Sequence, residues 1–348
     1  MKKFLPLLIL AILSLARGTC AAQDYDLKVA GNFVYSQNAS HITGPGIFGS
    51  VSFDLATRTL TLRNATIIYP ATVNGILTNS HNLTINLIGQ NRIECENPTV
   101  NYTYAICCSG DLTIKGTGSL QVHSNYTSIW CHNMIVEGGA DIGISAKEYG
   151  IYGEGDCTVS NSTMQVRSTG YISIAGFNHM ILNNVSFLNN TWYDEYGKFV
   201  VNASTNLIAP LAQIGITEYD LYVAGMRVNA LNQNNINSVF SGTASYNPTT
   251  NTLTLRDVDI NTPGNGIESS IDGLKLNLEG SNRIISQNAS GIVFEKRFIV
   301  TGNGSLQIQG EKGFESTSQD NPQLTFENNG RVILDNNAIG IDAYYGTV

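Results

Sequence analysis

The sequence predicts an all-β chain: a right-handed parallel β-helix, with three short strands per coil and two homologous modules. Three observations predict it. A short motif returns every 22–30 residues, a unit too small to bury its own apolar face. A longer pattern returns once, with an offset that shrinks from 194 to 186 residues. The composition, with 34 glycines and only 13% charged residues, suits turn-rich β structure and argues against long surface helices.

The chain opens MKKFLPLLILAILSLARGTCAA, with two lysines, a short apolar run and then small residues. That is the layout of a signal peptide over residues 1–22, cleaved after Ala21 or Ala22, and the apolar run is too short to span a bilayer. Cys20 is a poor match to a lipidated cysteine, because Arg-Gly-Thr precedes it. No later stretch is long and apolar enough to cross a membrane, so a secreted, periplasmic or cell-surface protein is expected. Losing Lys2, Lys3 and Arg17 takes the net charge from −8 to −11. A chain this acidic, with no basic cluster, is a poor partner for nucleic acid.

The long repeat sets the domains. QDYDLKVAGNFV (23–34) returns as TEYDLYVAGMRV (217–228), and VSFDLATRTLTLRNATI (51–67) as ASYNPTTNTLTLRDVDI (244–260). The expected organisation is a first module over 23–205, a linker over 206–216 and a second module over 217–348. The YDLxVAG segment and the hairpin after it read as caps or first coils.

The short repeat sets the coils. A G-I-x element starts at Gly75, Ala105, Ser128 and Gly150, and again at Gly266, Gly291, Gly313 and Gly340. In the first module NLTI, DLTI, NMIV and DCTV follow as a second strand, and SLQV, DIGI and TMQV as a third. Leucine-rich repeats share the period but need a denser leucine framework, and a β-sandwich would keep no register between units. By alternation, Ile76, Ile106, Ile129, Ile151, Ile267, Ile292, Phe314 and Ile341 stack in the bore. Asn82, Asp111, Asn133 and Asp156 precede the second strand and read as a ladder of turn residues.

Five cysteines follow the leader, all in the first half. Cys107 points outward, while Cys108, Cys131 and Cys157 point into the bore. Their spacing has no CxxC knuckle, so they read as small apolar filling, with a Cys108–Cys131 disulfide as the alternative.

Ligand chemistry is sought on the outward row beside the isoleucine stack. In the first module it holds Leu77, Cys107, Trp130 and Tyr152, with Tyr149 and His132 close by. Exposed aromatics on consecutive coils suit the C–H faces of sugars. The alternative is that loop NPTVNYTY or NNTWYDEYGK covers them. In the second module the row holds Glu268, Val293, Glu315 and Asp342, whose carboxylates are candidates for Ca²⁺. The histidines show no triad spacing, and no catalytic residue is assigned.

The motifs YDLxVAG, SYNPxTNTLTL, GIxSSxDLxLxLxGxNxI and GxGSLxI resemble an exported bacterial family of carbohydrate-binding domain-containing proteins, common in gut Bacteroidetes. The resemblance implies a pectate-lyase-like right-handed β-helix that binds polysaccharide without known cleavage. It rests on scaffold motifs and implies no particular ligand residue. A glycan-binding protein is therefore the first expectation. A surface adhesin or spacer and a Ca²⁺-dependent polysaccharide lyase are the alternatives.

Overall fold

The structure is a computed structural model that describes residues 24–96, 103–236, 240–319, 321–327, 329–335, 338–343 and 346–348. The expected signal peptide lies outside the described residues. Those residues contain no helix, so none is long and apolar enough to cross a membrane. They form a β-solenoid of parallel coils, as the periodicity predicts. Two compact units result: residues up to 183 with 187–215, and residues 184–186 with 216–348.

In the first unit each coil contributes one strand to each of three faces. The first face stacks Ile76–Thr78, Ile106–Cys108, Ile129–Cys131, Tyr149–Gly153 and Ile172–Ala175 in parallel. The register pairs Ile76 with Ile106, Ile106 with Ile129, Ile129 with Ile151 and Ile151 with Ile174. All five isoleucines are fully buried, and each contributes about 1.5–3 kcal/mol by leaving water. Ile174 adds a fifth rung: Ser173-Ile174-Ala175 repeats the element 23 residues after Gly150, although the sequence reading stopped at Gly150.

The second face runs Leu83–Ile88, Leu112–Lys115, Met134–Val136, Cys157–Ser160 and Met180–Asn183. The third runs Gln90–Glu96, Ser119–His123, Asp141–Ala146 and Thr163–Ser168. One long strand, Thr59–Pro70, pairs with the first strand of both faces and joins them at the start of the stack.

Antiparallel hairpins close this unit. Asp24–Val29 and Asn32–Tyr35 pair with each other, and Lys28 meets Leu77 on the first coil. Thr191–Asp194 and Phe199–Asn202 form a second hairpin, whose Phe199 pairs with Ala175 on the last rung. Within residues 206–216, expected as a linker, Leu211–Ile216 is a strand paired antiparallel with Thr163–Ser168. Its alternating Leu-Ala-Gln-Ile places Ala212 and Ile214 in the core of the first unit.

The second unit repeats the plan. Its first face stacks Ile267–Ser269, Ile292–Phe294, Lys312–Ser316 and Ile339–Asp342. Ile267, Ile292 and Phe314 are fully buried, but Ile341 is only half-buried, so the expected apolar stack weakens at its last rung.

The same polar device locks the third face of both units. In GQNRI, Asn91 is buried; its Oδ1 accepts from Ala65 N, and its Nδ2 donates to Ser119 O. In GSNRI, Asn282 accepts from Val258 N and donates to Ser305 O. The preceding Gly89 and Gly280 both have φ of +67°, and a Cβ at either would lie 2.1 Å from the carboxamide or carboxylate of Asn64 or Asp257. That position needs glycine.

The turn ladder forms as expected. Asn82 Oδ1 accepts from Asp111 N, Asn133 Nδ2 donates to Asp111 Oδ1 (2.7 Å), and Asn133 Oδ1 accepts from Asp156 N. His179 adds a fifth rung, with Nδ1 2.9 Å from Asp156 Oδ1. Amide, carboxylate and imidazole satisfy one another from coil to coil.

Candidate functional site

Of the four aromatic and histidine candidates, two come together in one cleft. Tyr149 and Tyr152 line an open cleft of about 540 Å³ on the first face of the first unit. Ala175 and Gly176 form its floor, Phe199 its far wall, and Glu154 and Lys198 its polar rim. The register explains the shape. Tyr152 pairs with Ala175, and Ala175 with Phe199, so a small side chain sits between two rings. Two strand spacings separate those rings' Cα atoms, about 9–10 Å.

Gly176 keeps the floor low. A Cβ there would lie 3.0 Å from the Tyr152 ring and closer still to Gly153 O. The far wall is held firmly: Tyr193 OH donates to Phe177 O (2.7 Å), and Gly176 N donates to Lys198 O (2.8 Å). The Lys198 ammonium is steered by Asn178 Oδ1, 2.8 Å away. The segment NNTWYDEYGK, considered in sequence as a cover for the aromatics, is instead the hairpin that supplies Lys198 and leads into Phe199.

Trp130 lies one coil from Tyr152 in register and is half-buried. Tyr104 packs against it with ring centroids 6.2 Å apart, and Tyr126 meets Tyr104 edge-on at 5.7 Å. Most of the other expected cover, residues 97–102 of NPTVNYTY, lies outside the described residues. His132 does not line the cleft. It occupies an exposed turn, where its carbonyl accepts from Glu154 N and Gly155 N.

Besides Phe199, sequence reasoning missed three coil-spaced tyrosines, Tyr104, Tyr126 and Tyr171. Tyr104, Tyr126 and Tyr171 precede the first-face strand, and Tyr149 opens it, on four successive coils, 22, 23 and 22 residues apart. That spacing is the coil period, so the signal was present in the sequence. Tyr149 meets Tyr152 edge-on at 5.6 Å and stacks on Tyr171 at 6.2 Å with an interplanar angle of 18°. Tyr171 is 61% exposed, so its ring is open to solvent.

The cysteines take no part. Cys107 faces outward in register but is 9% exposed, and burial pushes its thiol up to about 11. Burial likewise raises Cys108 to about 11, Cys157 to about 12, and Cys131 well above the usual thiol value. Protonated thiols are poor nucleophiles and poor metal ligands. The Cys108–Cys131 disulfide does not form: both are free. They pair side by side on parallel strands about 4.8 Å apart, whereas bridged Cβ atoms lie at about 3.8 Å.

The carboxylates proposed for Ca²⁺ are not assembled as a cage. Glu268 is two strands from Glu315, with Val293 between them, about 10 Å in all, whereas one Ca²⁺ reaches its ligands at about 2.3–2.6 Å. Lys312, which the sequence reading overlooked, already sits between the other two. Its Nζ is 2.5 Å from Glu315 and 2.8 Å from Asp342. Both contacts raise the Lys312 pKa, Asp342 foremost. Burial opposes the Glu315 charge, yet hydrogen bonds from Lys312 and Ser290 outweigh it and lower its pKa. Among the described residues no group of three or more His, Cys, Asp or Glu side chains is placed to hold a metal ion.

Residues 40–185 match a family model described as carbohydrate-binding domain-containing protein. The matched span includes all four coil tyrosines, Trp130 and Tyr152, and ends before Lys198 and Phe199. No curated protein and no solved structure matches the chain.

Proposed function

We propose that the protein is an exported, non-catalytic glycan-binding solenoid that seats sugar rings in the Tyr152–Phe199 cleft. The observation that carries this reading is the one-residue gap between two aromatic walls, with Tyr149 alongside. Pyranose rings present C–H faces to aromatic faces and hydroxyls to a polar rim, which here is Glu154 and Lys198. The family-model match over the coils that carry the tyrosines supports it. The leader-like first 22 residues support export, and the paired motifs and matching asparagine locks support an origin by duplication of one module.

Binding is favoured over cleavage by the lining itself. It carries one carboxylate, Glu154, whereas glycoside hydrolysis generally uses two, flanking the scissile bond. Retention of the protein on a panel of insoluble polysaccharides tests the reading. At least one glycan is expected to retain the native chain and to release Tyr152→Ala, with no reducing ends appearing. Failure of every glycan to retain the native chain would overturn it.

A further inference from the structure

The outward row of the first face does not stop at the cleft. Read back from Ala175, it passes Tyr152, Trp130, Cys107 and Leu77 and reaches Lys28 on the entry hairpin. At that end lies a second cleft of about 370 Å³, lined by Lys28, Gly31, Thr72, Val73, Asn74 and Leu77, with Thr103 beside them. The Lys28 ammonium, which gives this cleft its charged group, is held over the Phe33 ring, 4.1 Å from its centroid. Leu77 and Ala175 are four strand spacings apart, about 19 Å. That is the length of a short oligosaccharide rather than of one sugar.

We propose that the glycan binds as an extended chain parallel to the solenoid axis, filling both clefts and crossing the aromatics between them. This rests on the glycan reading above and adds the direction and length of the ligand. The direction follows from strand geometry. Along one strand, neighbouring side chains alternate into the bore and the strand soon ends, so a ligand parallel to the strands would meet at most two outward rings, Tyr149 and Tyr152. Across the strands, an outward residue recurs every 4.8 Å or so, and the tyrosine column at 104, 126, 149 and 171 runs the same way. Between the clefts Tyr104 packs on Trp130, so the chain crosses a ridge of rings. A linear polysaccharide is the ligand class that matches: its contacts repeat along one axis, as the rings do.

Titration calorimetry of the full chain with length series of cello-, manno- and malto-oligosaccharides tests this. For the series that binds, affinity should climb with chain length until the chain spans both clefts, then level off. Thr72→Trp fills the second cleft from an exposed turn, and Lys28→Ala removes its polar group. Each should weaken the long oligosaccharides about tenfold and leave the shortest binding member unchanged, whereas Tyr152→Ala should weaken all of them. Affinity that is flat with length, or long chains indifferent to both Thr72→Trp and Lys28→Ala, would overturn the axial chain while leaving the cleft intact. Loss of all binding in the native chain would count against the glycan reading itself.

Discussion

The first faces of the two units share one interior and differ in their exteriors. Ile129 and Ile151 in the first unit have Ile267 and Ile292 as counterparts, all fully buried. The outward neighbours diverge: Trp130 and Tyr152 in one unit, Glu268, Val293, Glu315 and Asp342 in the other. The corner residue two before the bore position shows the same split, with Tyr149 in the first unit and Lys312 in the second. The first unit has a stack of rings beside a cleft, and the second has an ammonium shared by two carboxylates. Coil stacking dictates the bore residue, whereas the outward residue is free to carry ligand chemistry. Function is therefore to be sought where the two units differ.

The largest effect tests the shared interior. Ile151→Ala should cost about 2–5 kcal/mol by leaving a cavity in a closed stack. Ile341→Ala, at a half-buried rung, should cost less than half as much in the same denaturant titration. Equal losses would mean that the last rung of the second unit is as well packed as the middle of the first.

The exterior difference comes next. Tyr152→Ala should weaken glycan binding by about 2–3 kcal/mol, roughly 30- to 150-fold in Kd, as expected for one buried aromatic face. Glu315→Ala, at the equivalent row of the second unit, should leave Kd within twofold. A comparable loss from Glu315→Ala would place ligand chemistry on the second unit and break the contrast.

A pH dependence specific to the entry hairpin of the first unit follows. Burial opposes the Asp26 charge, but hydrogen bonds from the Ser80 hydroxyl, His81 and the backbone N–H groups of Ser80 and Asn79 outweigh it and hold its pKa at about 2. A depressed carboxylate stabilises above its unfolded value of about 3.9, and the contribution is lost as pH falls towards 2. Stability should decline over that window by roughly 1–2 kcal/mol, and Asp26→Asn should remove this part of the decline. At the corresponding place the second unit has Asp220, ion-paired to Arg227 at 3.2 Å and more exposed.

The smallest effect concerns Lys312. Lys312→Met leaves Glu315 and Asp342 without their shared cation and should cost about 1 kcal/mol at neutral pH, because the cluster is partly solvated. The loss should shrink at acidic pH, where protonation removes the repulsion between the two carboxylates. A loss that persists unchanged in acid would assign the effect to packing of the lysine stem.

Most of the solenoid was legible in sequence because parallel coils repeat their register. Once Ile106 and Ile129 were aligned, Trp130 and Tyr152 followed as row neighbours, and Asn82, Asp111, Asn133 and Asp156 as a ladder. The cleft was half legible. Its near wall, Tyr149 and Tyr152, lies inside the repeat. Its far wall, Phe199, lies on an antiparallel hairpin that begins after the repeat has ended, and no periodicity places it against Ala175. Lys312 escaped notice because it pairs with Glu315 three residues on within its own strand and with Asp342 on the next coil. The coil-spaced tyrosines were readable, but the row beside them held Trp130 and drew the reading away.

Hydrogen–deuterium exchange on the full chain, with and without a saturating oligosaccharide from the series that binds, tests the central claim most directly. Protection of peptides covering Tyr149–Gly153, Ile172–Ala175 and residues 197–199, reaching those covering Trp130, Lys28 and residues 72–77 when the chain is long enough to span both clefts, with the strands Ile267–Ser269 and Lys312–Ser316 unchanged, is the predicted result. Protection of the second unit's strands, with the Tyr152–Phe199 cleft unaffected, would contradict the account.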